Sequence, residues 1–198
     1  MLSRGFLLKR KQCCGSGCLM CPYIPQHTKG SIRVMQNMGY ACINMHLSEL
    51  RPKITTNRSM IKRTFLEKGI EYASELSLQN CQDLVKIIQW NHDNGFKFFR
   101  LSSEVFPWAS EYNISDLPDY DEIKSTLAEA GRLATEYGIR ITTHPGPFNV
   151  LTSPRPHVVD NCIKDLSIHG EVFDMMNLSR TPYNKINIHI GGAYGDKV

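Results

Sequence analysis

His144 and His189 each stand at the end of an apolar, β-prone run and just before a glycine-containing turn. Ile139-Arg140-Ile141-Thr142-Thr143-His144 leads into Pro145-Gly146, and Ile186-Asn187-Ile188-His189-Ile190 leads into Gly191-Gly192. A strand that delivers histidine to its C-terminal end is how parallel α/β barrels present ligands for a metal. The glycine adds no side chain, so a substrate can approach the imidazole. A single strand-end histidine also reads as a satisfied polar cap. Two in the same context, about 45 residues apart, fit two successive βα units and favour a metal site.

Those units can be traced along the chain. Met38 to Met45 is a short strand-like run, and Leu47 to Ser59 reads as a loop ending in a helix cap at Thr55-Thr56-Asn57-Arg58. From Met60 to His92 the apolar spacing is helical, with a break expected near Leu78 to Asn80 and a stop at Asn94-Gly95. Phe96 to Leu101 is a second strand, Tyr120 to Tyr137 an amphipathic helix capped by Gly138, and Ile139 to His144 a third strand. Pro156 to Leu178 is helical with a bend at His169-Gly170, and Lys185 to Ile190 is a fourth strand. The alternation predicts an α/β fold with parallel strands. A closed barrel needs eight such units, so four strands give a TIM-barrel-like but truncated, half-barrel arrangement. Its outer strands are open edges. Either the sheet is open, another chain completes it, or the product is cut short.

Residues 1–36 differ from the rest. They hold Arg4, Lys9, Arg10, Lys11, Lys29 and Arg33 and no acid, leaving 17 basic and 19 acidic residues for 37–198. Such a basic arm either lies along a phosphate backbone or is a solvated tail. The opening residues are too short and interrupted for a secretory signal, and no run of 18 apolar residues exists. Cys13, Cys14, Cys18 and Cys21 fall within nine residues. Four thiolates could surround zinc or an iron–sulfur cluster; three with His27, or a redox-labile tail, are the alternatives. Residues 8–31 resemble a short cysteine-rich domain of unknown function. Cys42, Cys81 and Cys162 sit in apolar contexts and read as reduced core residues, which points to an intracellular protein, nuclear or cytoplasmic.

Five motifs then occur in order: Gly39-Tyr40-x-x-x-Asn44, Thr55-Thr56-Asn57-Arg58, Phe99-Arg100-Leu101-Ser102-Ser103, His144-Pro145-Gly146, and His189-Ile190-Gly191-Gly192-Ala193-Tyr194-Gly195-Asp196-Lys197. Together they resemble the UV-damage endonuclease family from about Met38 onward. The resemblance implies a TIM-like barrel that nicks damaged double-stranded DNA immediately 5′ to UV photoproducts with a cluster of divalent metals, manganese first, zinc or magnesium otherwise. Metals held close together generate hydroxide, neutralise the phosphate and stabilise the departing oxygen.

By position, the resemblance makes His144 and His189 metal ligands, adds Glu104 as a third, and places Asn44 near the catalytic centre. It gives Tyr40 to recognition of the damaged bases, and Arg58 and Arg100 to phosphate contacts or, alternatively, structural ion pairs. Where family members insert glutamine and an aromatic into the duplex, this chain has Pro147 and Phe148. Phe148 can still wedge, but Pro147 lacks the amide. Further ligands in the family come from later strands. Two rivals remain: a non-catalytic remnant that binds metal, nucleic acid or a partner, and another metal-dependent barrel enzyme such as a sugar isomerase, against which the motif order argues.

Overall fold

The computed structural model describes residues 38–189, and the chain divides between Met38 and Gly39 into two units. Cys13, Cys14, Cys18, Cys21, His27 and the basic arm lie outside the described residues, as does the chain beyond His189.

Four strands form one sheet in the order β1 (Gly39–Ala41), β2 (Phe98–Leu101), β3 (Arg140–Thr143) and β4 (Lys185–Ile186), every pair parallel. Between them run α1 (Met45–Ser48), α2 (Lys62–Asp93), α3 (Tyr120–Glu136) and α4 (Pro156–Met175). Consecutive parallel strands joined by helices are the units of a parallel α/β barrel, and among the described residues three such connections link the four strands.

Pleating sorts the side chains. Register aligns Tyr40, Phe99 and Ile141 on one face and Ala41, Arg100, Thr142 and Lys185 on the other. Phe99, Leu101 and Ile141 join the core with Leu84, Ile87 and Ile88 of α2, Ile123 and Leu127 of α3, and Val172 and Phe173 of α4. Each such buried side chain contributes roughly 1.5–3 kcal/mol.

Several elements depart from the sequence expectation. The kink in α2 falls at Gly69 (φ 71°), which tolerates the left-handed backbone, and not near Leu78 to Asn80. Asn80 is fully buried inside the helix and bonds two loops instead of breaking it. The helix is capped at Ile61 without a side-chain bond, because Asn57 accepts a hydrogen bond from Ser102 Oγ. Met45–Ser48 is helical where a loop was expected, since the Asn44 side chain caps it. Across His169-Gly170, α4 runs on as one helix to Met175, ending short of Leu178.

The fourth strand is cut to two residues. Asn187 N still donates to Thr143 O at 2.9 Å, but its carbonyl then turns to the His144 ring. Of the scattered cysteines, Cys81 and Cys162 are buried free thiols, and burial pushes the Cys81 pKa up. Cys42 differs: it is only half-buried, with φ 61°, at the turn out of β1.

Gly131 of α3 lies against the C-cap of α4, where a Cβ would be 1.8 Å from the Met176 carbonyl oxygen. Gly131→Ala should therefore force the two helices apart and destabilise the fold by about 1–3 kcal/mol. The urea midpoint of the variant checks it; an unchanged midpoint would show that this approach is not tight.

Candidate functional site

The ends of β3 and β4 bring His144 and His189 together, ring centroids 4.6 Å apart and planes 34° from parallel. His144 is half-buried and His189 exposed. His144 Nδ1 lies 2.6 Å from the Asn187 carbonyl oxygen. A carbonyl only accepts, so Nδ1 carries the ring proton and donates it, leaving the Nε2 lone pair free. That is the arrangement of a metal-binding histidine, whose second nitrogen is tied to an acceptor outside the site. Imidazole nitrogens are common donors to divalent transition metals. Among the described residues no three His, Cys, Asp or Glu side chains converge as a metal-holding group. Glu104 is thus not drawn into a three-ligand set with the pair.

Glu104 instead lines a cavity of about 540 Å³ between the loop after β2, the loop before α2, and α4. There Ser59 Oγ donates to its carboxylate at 3.3 Å. Asp165 and His169, one turn apart on α4, line the same cavity, as does Phe148. His169 is buried, its Nδ1 3.3 Å from Thr143 Oγ1 and its Nε2 3.8 Å from Asp165 Oδ2. Burial lowers its pKa, and the neighbouring Asp165 carboxylate opposes that in part. Asn149 Nδ2 donates to Asp165 Oδ2 at 2.7 Å and to Gly146 O at 3.2 Å, so α4 fixes the loop that follows His144. On this tethered loop Phe148 is 88% exposed.

The sequence reading missed Asp165 and His169. An acid and a histidine at i, i+4 on one helix were the available signal.

Tyr40 and Asn44 are engaged in packing. The Tyr40 ring meets Phe96 and Phe99 edge-on at 5.5 and 5.2 Å. Its hydroxyl donates to Asn91 Oδ1 at 2.6 Å and accepts from Asn44 Nδ2 at 2.7 Å. The other end of the Asn44 amide accepts from Leu47 N at 2.9 Å, and Asn44 is buried. Burial raises the Tyr40 pKa despite those bonds.

Arg58 takes the structural alternative. It pairs with Asp83 Oδ2 at 2.7 Å and donates to the Thr55 and Lys53 carbonyls. Arg100 is half-buried on β2, and its Nε is shut away with no hydrogen-bond partner.

Residues 36–198 match the family UV-endonuclease UvdE. The UV-damage endonuclease of Schizosaccharomyces pombe is 37% identical over 163 residues, 81% of this chain and 27% of that protein. The UV-damage endonuclease of Neurospora crassa is 35% identical, covering 88% of this chain and 30% of its own. A putative UV-damage endonuclease of Acanthamoeba polyphaga mimivirus is also 35% identical, over 81% and 48%. A structure titled "Crystal Structure of SacUVDE" superposes with a TM-score of 0.68 at 28% identity, over 79% of this chain and 50% of that one. The chain therefore spans half or less of the length of these relatives.

Arg58→Ala should act on stability: the Asp83 carboxylate, 5% exposed, would lose a charged partner while keeping Lys86 and the Thr55 amide. The expected cost is about 1–3 kcal/mol in urea unfolding. An unchanged stability with weakened DNA binding would return Arg58 to the interface.

For His169 the neutral ring is the folded form. Its contribution is full above about pH 6.5, where the unfolded histidine is neutral too, and is lost as pH falls toward the lower folded pKa. Urea midpoints at successive pH values should fall more steeply below that point for the wild type than for His169→Gln.

Proposed function

The chain belongs to the UV-endonuclease UvdE family, and on that footing we propose that it serves DNA repair as part of an endonuclease nicking duplex DNA immediately 5′ to UV photoproducts. The carrying observation is the pair His144–His189, with the His144 ring fixed by the Asn187 carbonyl. The two imidazoles would hold a divalent metal, manganese first and zinc or magnesium as alternatives. Such an ion supplies an activated water and neutralises the phosphodiester. The chain's own contribution is to set the imidazoles side by side without further ordering when DNA arrives. The backbone carbonyl does this for His144, so the ring keeps its tautomer whatever the substrate.

Phe148 supplies the means of finding damage. It stands free on a loop only four residues from His144, and Asn149 and Asp165 hold that loop. An aromatic side chain presented this way wedges between base steps, and a lesion lowers the cost because its stacking is already weak. Pro147 beside it has no side-chain amide to read base edges, so Phe148 discriminates by stacking alone. Tyr40 and Asn44 act as positioning residues: both polar ends of the Asn44 amide are occupied in holding the exit of β1 to α1 and to Tyr40.

A second reading, a non-catalytic remnant that binds nucleic acid or a partner, rests on a single observation. The described residues bring no third His, Cys, Asp or Glu to the histidine pair.

Incubating the chain with manganese and UV-irradiated duplex, with unirradiated duplex as control, separates the two. A nick 5′ to the photoproduct is expected. His144→Ala and His189→Ala should each lower it by about 100-fold or more, beyond the usual loss of an outer-shell partner, while DNA binding and melting temperature hold. No nick from folded wild-type protein would favour the remnant. Phe148→Ala should leave cutting chemistry in place but blunt the preference for damaged over intact duplex.

A further inference from the structure

On the sheet face opposite the helices, Ala41, Arg100, Thr142 and Lys185 share one register line across all four strands. The ends of the line, Ala41 and Lys185, are exposed. At its middle, two side chains contain polar atoms that are buried and unpartnered: Arg100 Nε and Thr142 Oγ1. They belong to neighbouring strands and face the same way. Among the described residues the Arg100 guanidinium takes part in no ion pair. Arg140, one pleat away on the same face, contrasts with it: its guanidinium is satisfied by the Tyr183 and Pro182 carbonyls. Arg100 is therefore a permanent charge already partly desolvated, with a buried donor left over, on a face that has cations and no acid on its register line.

Burying an arginine in this state is costly unless a carboxylate completes it. The fork of guanidinium donors matches a carboxylate in plane and spacing. Inward-facing side chains of a parallel α/β barrel pack in layers drawn from strands around the whole circle. We infer that this face receives a further strand-bearing barrel segment whose inward Asp or Glu pairs with Arg100 and takes the Thr142 hydroxyl as a neighbour. The inference rests on the endonuclease reading above only for the identity of the segment; the acid it must carry follows from the face itself. A DNA phosphate is the competing anion. The buried Nε disfavours it, because that donor lies within the sheet face whereas a duplex meets the loops beyond the strand ends.

The test combines the full 198-residue chain with the half of the SacUVDE chain that it does not cover, expressed as a separate polypeptide. Light scattering should show a one-to-one complex, and titration should show its affinity falling at least tenfold for Arg100→Met. The same variant alone should melt at or above the wild-type temperature, since it removes an unpaired buried donor. Thr142→Glu should supply a carboxylate from within, raising the melting temperature of the chain and weakening the complex, and both effects should vanish in combination with Arg100→Met. No complex, or a complex indifferent to Arg100, overturns the inference. So does a fall in the melting temperature of Arg100→Met, which would show the guanidinium already paired inside the chain. Lost DNA binding with assembly intact would give Arg100 to phosphate and equally overturn it. Nicking by the complex is read separately: a complex that depends on Arg100 but does not nick refutes the endonuclease reading and leaves this one standing.

Discussion

The Asn80 amide, fully buried in the middle of α2, holds the two loops that frame the site. Its Oδ1 accepts from Arg58 N at 3.0 Å, and its Nδ2 donates to Arg58 O at 3.0 Å and Val105 O at 3.1 Å. One turn on, Asp83 accepts from Thr55 N and pairs with Arg58 and Lys86. Ser77, one turn back, bonds the Ala73 carbonyl, and Ser74 exchanges hydrogen bonds with Asp119 before α3. These residues recur at threefold spacing and form a buried polar stripe along a helix otherwise sealed by Leu84, Ile87 and Ile88. Every loop it holds would otherwise bury main-chain groups without partners, at about 1–3 kcal/mol each. The helix is thus both a wall of the core and the frame on which the loop before it and the loop after β2 are strung.

The histidine pair depends on a different handover. The parallel ladder between β3 and β4 continues through Asn187 N to Thr143 O and then ends, because the next acceptor, the Asn187 carbonyl, is taken by the His144 ring. Ladder and site compete for the same backbone atom, and the site wins at the last position. A similar exchange ties the cavity to the sheet: Thr143, the last residue of β3, meets the buried ring of His169, and Asp165 holds Asn149. Helix α4 is in this way connected to both the strand end that presents His144 and the loop that presents Phe148.

The alternation of strands and helices was readable because each apolar run has the period of its element, and Gly95 and Gly138 end helices with positive φ. Bringing His144 and His189 together followed from that alternation, since successive parallel strands place their C-terminal ends side by side. What resisted reading was polar and tertiary. Asn80 looked like a helix breaker, because a sequence cannot say that two distant loops need its amide. The kink at Gly69 escaped because nothing local distinguishes a glycine that bends a helix from one that does not. Thr55 to Arg58 had the composition of a helix cap, yet Asn57 is spent on Ser102 and Arg58 on Asp83. The partners of the strand-end residues were equally out of reach: Glu104 accepts from Ser59, and Asn44 donates to the Tyr40 hydroxyl.

Beside the Arg58–Asp83 ion pair, α2 grips the loops by main-chain atoms: Thr55 N, Arg58 N, Arg58 O and Val105 O. A loop held by its backbone keeps its path while the side chains it displays are exchanged. An exposed position such as Ser103, outside these contacts, is therefore open to exchange without loss of the loop's path. The stripe confines the evolutionary risk to a few buried residues of one helix.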